Sequence, residues 1–284
     1  MRQNEKNILV EKGVKVLMYF SLALTFLFTF SIVYTILRKG FPSLNWEMVS
    51  SVPQGGYYLG GGGGFLNAII GSLYIVLAST AIGLVISIPI VFYLNVYLKP
   101  DSFWGYIVRL VYDVLFGIPS IVYGAFTFSL MVYLGIRCSL GGGILVETIL
   151  IIPIFVRGID EVAKNMPRDI LTASFALGAT RWESISIVLK QIAPGIATAT
   201  LLGIGRSIGD AAGVMFTAGF SDSIPTSISH QTATLPLSVF FQLLCPQEEV
   251  QNRAYAGAVV LTLIILVLSL LGRLISRRIS RFKI

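Results

Sequence analysis

Six long apolar runs divide this chain, and between them they leave too little polar sequence for a water-exposed fold to cover itself. They occupy 16–37, 67–98, 106–134, 143–156, 187–220 and 254–275. A helix needs about 20 mostly apolar residues to cross a bilayer, so five of the six are long enough and the fourth is short. Only 12% of the 284 residues are charged and 55% are hydrophobic, whereas an ordinary soluble domain carries roughly 25% charged residues. A soluble chain of this length buries a large core but still needs a polar exterior. Lipid is therefore the solvent, and backbone hydrogen bonding in lipid selects an all-α integral membrane fold with about six transmembrane helices.

The charge pattern orients those helices. Segment 1–15 is polar and carries Arg2, Lys6, Lys12 and Lys15 ahead of the first apolar run. That run is longer than a signal-peptide core and no small-residue cleavage site follows, so 16–37 reads as an uncleaved first transmembrane helix with a cytoplasmic N-terminus. Segment 38–66 reads as an extracytoplasmic loop, with Pro42, Trp46, Pro53 and the glycines Gly60 to Gly64. Such a glycine run implies flexibility, and no Lys-Ser or Lys-Thr follows it to make a P-loop. The remainder is a five-helix core over 67–275 and a basic cytoplasmic tail over 276–284. All of the 21 basic residues fall inside or at cytoplasmic helix ends except Arg38, Lys39, Arg137, Arg253 and the mid-span Arg206, the asymmetry of a protein whose two termini lie in the cytoplasm. Pro89, Pro119 and Pro194 are expected kink points.

This distribution accounts for the net charge of +7 without nucleic acid, since no basic stretch interleaved with aromatics is present. Cys138, Cys245 and the single histidine His230 are too few and too scattered for a structural metal site, and nothing binds a cofactor. The two cysteines lie on the outer side, where one disulfide or two unrelated thiols are both compatible with the sequence. No nucleophile, base and acid constellation suggests an enzyme. Gly203-x-Gly205-x-x-x-Gly209 has the wrong spacing for a dinucleotide fingerprint and is better explained by helix packing.

Two segments carry chemistry. Segment 158–186, between the fourth and fifth spans, mixes charge with apolar residues at spacings of three and four, broken by Pro167 and by Gly178-Ala179-Thr180. Two short helices outside the membrane are expected there. Within the fifth span, Arg206 and Asp210 are four residues apart, and Arg206 lies about 24 Å along the helix from Lys190. Charges at that depth cost a few kcal/mol unless compensated. They can pair with each other at i and i+4, with Gly205, Gly209 and Gly213 forming a strip for close helix approach. Intramembrane ionisable groups also line aqueous paths, and a guanidinium suits a tetrahedral oxyanion. Asp210 can accept a hydrogen bond from a protonated oxyanion such as phosphate and repel one without a proton, such as sulfate. Asp113 is a third candidate for the pathway, paired with Arg109 or with Arg206. Glu147 is placed near the outer face.

These segments resemble a known family. Thr172-Ala173-Ser174 and Gly178, followed by Ala179-Thr180-Arg181-Trp182, look like the cytoplasmic coupling motif of ABC importer permeases, with Thr172 where the motif has glutamate and Leu189-Lys190 where it has Leu-Pro. Arg206, Gly209, Asp210, Ala212 and Phe216-Thr217-Ala218 resemble the A-type permease subunit of the bacterial high-affinity phosphate importer, with Asp210 in place of a glutamate and Ala211 in place of a threonine. Gly117-Ile118-Pro119-Ser120-Ile121-Val122-Tyr123-Gly124 is similar to that family's third-span signature, and the likeness extends from residue 53 to the C-terminus. The resemblance implies a non-catalytic permease of the bacterial inner membrane with the MetI-like architecture. It also implies a second permease, giving a heterodimeric pore, two ATPase subunits that use ATP, and an extracytoplasmic phosphate-binding protein. Thr172, Ala173, Ser174, Gly178, Ala179 and Trp182 would meet the ATPase. Another oxyanion as cargo, or an ion-coupled secondary transporter, are the alternatives, and the coupling-like segment and the lack of a repeated half argue against the last.

Overall fold

The computed structural model describes residues 2–54, 62–99 and 101–280, and among these every regular element is helical. The glycine-rich stretch at 55–61 and the last four residues of the basic tail lie outside the described residues. Ten α-helices follow one another: α1 (Arg2–Gly40), α2 (Trp46–Ser50), α3 (Leu66–Phe92), α4 (Phe103–Phe116), α5 (Ser120–Tyr133), α6 (Leu140–Lys164), α7 (Arg168–Ala176), α8 (Arg181–Ile208), α9 (Leu235–Leu243) and α10 (Glu248–Ser280). Five are long and apolar enough to cross a membrane, and six spans result if α4 and α5 count as one.

The centre of the fold is α6, because apolar residues recur along it with helical spacing. Glu147, Ile151, Phe155 and Ile159 follow at intervals of four, and each is 0% exposed. This helix packs against α3 and α8, whose small residues admit its bulky ones. A Cβ on Gly83 of α3 would stand 3.0 Å from the Phe155 ring, and one on Gly195 of α8 would stand 2.7 Å from Val162. Gly203 faces the edge of Phe155 so closely that a Cβ there would overlap it. The strip of close approach on α8 is thus Gly195, Ala199, Gly203 and Ser207, all buried. Of the expected strip at Gly205, Gly209 and Gly213, Gly213 is closely approached by Gly124 of α5, whereas Gly205 has open space where a side chain would stand.

Several expected boundaries move for identifiable reasons. The third apolar run is two helices meeting at 101°, since Pro119 is extended (φ −61°, ψ 141°) and caps α5, which is a break rather than a kink. The fourth run is a full 25-residue helix because the charged residues after Val156 remain on α6 and find partners there. In the fifth, α8 ends at Ile208 and residues 209–220 are not a regular helix, although Val214, Thr217 and Ala218 are at most 1% exposed. Irregular backbone at this depth is tolerated only where protein satisfies it. Here Cys138 donates through Sγ to the Phe216 carbonyl, and the Ser139 N–H donates to the Thr217 carbonyl at 2.9 Å. Pro89 leads into a π-helical turn at Tyr93–Tyr97, and Pro194 is accommodated inside α8. The polar N-terminus from Arg2 onward is helical and continuous with α1, and α10 extends to Ser280, past the expected end.

The described parts of the 38–66 loop are packed rather than loose. Met48 of α2 and Phe65 are buried with Ala233, Leu235 and Ala256, and the Phe65 N–H donates to the Met48 carbonyl at 2.7 Å. Helix α1 meets α10 at Gly40, which lies against the Tyr255 carbonyl, while Val10 to Leu37 are almost wholly exposed. Cys138 and Cys245 are both free.

Candidate functional site

Arg206 and Asp210 do not form the pair expected of an i and i+4 spacing. Gly209 caps α8 (φ −96°, ψ −3°), so the chain leaves the helix between the two residues. Among the described residues Arg206 forms no ion pair within 4.0 Å, and its side chain is exposed on the face of α8 that no other helix of this chain covers. Asp210 is instead held by neutral donors: Ser120 Oγ donates to Oδ1 at 2.9 Å and the Gly213 N–H donates to Oδ2 at 3.1 Å. The break between α4 and α5 makes the first contact possible, because it places Ser120, the first residue of α5, against the irregular segment. Gly124, one turn further, lets α5 approach the Gly213 carbonyl, which would lie 2.7 Å from a Cβ at that position. Tyr123 completes this corner, its hydroxyl donating to the Leu115 carbonyl of α4 across the break at 2.8 Å.

Asp113 belongs elsewhere. Its partner is neither Arg109 nor Arg206 but Arg157 of α6, at 3.5 Å, and Arg157 also stacks over Phe116 with its guanidinium carbon 4.8 Å from the ring centroid. One turn nearer the end of α6, Arg109 of α4 donates to Asp160 from Nε at 2.9 Å and from a terminal nitrogen at 3.2 Å. Lys164 stands 3.0 Å from the same carboxylate, and Asn95 of the π-helical turn donates to it at 2.7 Å. Thus α4 is fastened to α6 by two ion pairs of opposite sense, acid to base and base to acid. Sequence spacing conceals them because the partners are 51 residues apart in one pair and 44 in the other.

The coupling-like segment folds as one short helix and a tight turn leading directly into α8, so the second of the two expected short helices is the first turns of α8. Gly178 has φ +88°, a conformation that favours glycine. Thr180 caps α8 by accepting from the Glu183 N–H, while Glu183 returns a hydrogen bond from the Thr180 N–H, a capping box. Ser174 is buried and shares a hydrogen bond with Ser184 at 2.9 Å, which ties α7 to α8. Thr172, Ala173, Gly178 and Trp182 are exposed and Ala179 is partly so. Leu177 is 89% and Trp182 76% exposed, with Phe175 beside them, an apolar projection unlike a finished surface. Behind α7 is a cavity of about 350 Å³ whose lining includes Asn95, Arg109, Lys164 and Thr172.

Glu147 is the residue whose neighbours sequence reasoning did not identify. It sits on the most buried stripe of α6, at 0% exposure, and faces Asp210, Ser207 and Arg206. Its spacing of four from Ile151 placed it on the core face of the helix, which was the available signal. Among the described residues no group of three or more metal-binding side chains is present.

Comparison with known proteins agrees with this geometry. The family model described as binding-protein-dependent transport system inner membrane component matches residues 86–281. A phosphate transport system permease protein PstA of Haemophilus influenzae is 34% identical over 245 residues, covering 86% of this chain and 85% of that protein. The Yersinia pestis protein of the same name is 35% identical over 215 residues, covering 75% and 72%. A solved structure of the MetNI methionine ABC transporter in an inward-facing conformation aligns with TM-score 0.63 at 19% identity, over 76% of this chain and 95% of that one, which shows the fold. With a matching model over more than half its length and relatives above 30% identity along most of theirs, this chain belongs to the family of binding-protein-dependent transport system inner membrane components.

Proposed function

We propose that this chain is the permease subunit of an ATP-driven importer and forms part of the translocation path for inorganic phosphate. The observation that carries the reading is Arg206, a guanidinium at the exposed end of α8 without an ion-pair partner among the described residues, with Asp210 fixed beside the helix terminus by Ser120 and Gly213. An unpaired cation in a membrane span is costly unless water and an anion reach it. The bare face of α8 is where a second permease would complete the pore. The names of the relatives in Haemophilus and Yersinia supply the cargo.

The chain itself does no catalysis. One of two ATPase subunits would dock on the turn between α7 and α8, where Phe175, Leu177 and Trp182 project, the other would meet the second permease, and an extracytoplasmic phosphate-binding protein would deliver the cargo on the opposite side. Both termini then lie in the cytoplasm of a bacterial inner membrane. Asp210 would accept the hydrogen bond of protonated phosphate and disfavour sulfate, a selectivity that Asp210→Asn should weaken. The direct test is ATP-dependent phosphate uptake by the complete complex in vesicles, wild type against Arg206→Ala. Uptake by the wild type and its loss in an assembled variant are expected. No uptake by the wild type would refute the cargo, and normal uptake by the variant would return Arg206 to a structural role.

A further inference from the structure

Glu147 poses a chemical problem that the pathway reading does not use. It lies seven residues into α6, about 10 Å along the helix axis, and both of its carboxyl oxygens are buried without a hydrogen-bond partner among the described residues. Ser207 of α8, beside it, is likewise buried with a partnerless hydroxyl. The antiparallel packing explains why these groups meet. Val162 faces Gly195, Gly158 faces Ala199 and Phe155 faces Gly203, so the next steps along the two helices bring Glu147 opposite Ser207 and the start of the irregular segment. A Cβ on Gly213 would lie 2.6 Å from Asp210 Oδ2 and 3.5 Å from Glu147 Oε1, so both carboxyl groups reach one small space.

Two ionised carboxylates do not share such a space in a membrane-buried site unless counter-charge or hydrogen bonds satisfy both, and the neutral donors here are divided unequally, with Ser120 and Gly213 on Asp210 and the Ser207 hydroxyl beside Glu147. Arg206 is the one cation that faces them among the described groups, and α3 and α5, which also pack on α6, carry no charged residue at all. One guanidinium balances one carboxylate. Which of the two remains ionised is written in the hydrogen bonds: Asp210 accepts two, from Ser120 and Gly213, while Glu147 accepts none.

We infer that Glu147 binds a proton and donates it in a hydrogen bond to Asp210, so that the two form an acid and carboxylate pair that positions Asp210 beside Arg206. Glu147 is then a positioning residue of the pathway that touches no cargo itself. The inference rests on the pathway reading for its transport consequence, but not for the protonation. Loss of the proton would add a second negative charge beside the route of an anion.

The experiment compares Glu147→Gln and Glu147→Ala in the full reconstituted complex. The amide of glutamine retains an N–H for Asp210, so Gln should keep phosphate uptake within about twofold of wild type. Alanine removes a hydrogen bond to a charged group and should cost about tenfold or more. Infrared spectra of the purified complex supply the second readout: a buried carboxylic-acid carbonyl band, insensitive to phosphate, that disappears in Glu147→Gln and shifts in Asp210→Asn. A Gln variant as inactive as the Ala variant, uptake that requires sodium and loses that requirement in Glu147→Gln, or spectra without such a band would each overturn the inference. If the wild-type complex moves no phosphate the cargo assignment fails, and the infrared band alone decides the protonation.

Discussion

Asp160 is the point at which the framework joining α4 to α6 is most exposed to a single change. Its side chain is 6% exposed and is approached by Arg109, Lys164 and Asn95, while Arg109 is 24% exposed. Removing one partner of a fully buried pair costs about 3–5 kcal/mol. Arg109 retains a quarter of its contact with solvent and Lys164 nearly half, so Asp160→Ala should fall below that range, at about 2–3 kcal/mol. Arg109→Ala should cost less, since Lys164 and Asn95 still satisfy the carboxylate. The double variant should be less destabilised than the two single losses together, with a coupling of about 1–2 kcal/mol. The assay is the thermal midpoint of the purified chain in detergent, where about 2–3 kcal/mol corresponds to a fall of roughly 4–12 °C for Asp160→Ala. Strictly additive shifts would refute the claim that this pair, rather than apolar packing around it, fastens α4 to α6.

Two further outcomes follow from close packing and backbone geometry. Gly203→Val should lower the thermal midpoint by the equivalent of about 1–3 kcal/mol or more, because its side chain would overlap Phe155; Phe155→Leu in the same chain should restore part of the loss, and no rescue would place the strain elsewhere. Gly178→Val should strain the φ +88° turn by about 1–2 kcal/mol while meeting no neighbouring atom, so co-purification with the ATPase should fall as the membrane core keeps its thermal midpoint. An unchanged yield of the complex would show that this turn is not the docking element.

The all-helical membrane fold was legible because lipid leaves the backbone few options, and the coupling turn because Gly178, Thr180 and Glu183 act within a few residues of one another. What sequence reasoning missed depends on contacts distant along the chain. The 101° break at Gly117-Ile118-Pro119 reads as a kink unless one knows that Ser120 has a partner 90 residues away in Asp210. The helical periodicity that paired Arg206 with Asp210 assumes a helix through 210, and hydropathy gives no warning that residues 209–220 are irregular, since they are as apolar as the span before them. For Glu147 the sequence suggests a depth near the outer face but not its neighbours, which follow from its place in the buried stripe with Ile151, Phe155 and Ile159.

The same contacts explain why the irregular segment sits where it does. Helix α4 is held on α6 by Arg109 with Asp160 and by Arg157 with Asp113. At the far side of the break, α5 begins with Ser120 on Asp210, and α6 carries Glu147 to the same carboxylate. Had α8 continued as a helix, Asp210 would share a face with Arg206 and neutralise it directly. Ending α8 at Ile208 separates the two and gives Asp210 to Ser120 and Gly213; in the pathway proposed above, the guanidinium would then be open to an anion. The helix break frees backbone groups that Cys138, Ser139 and Thr232 satisfy, so the irregular segment is held by specific hydrogen bonds rather than left open.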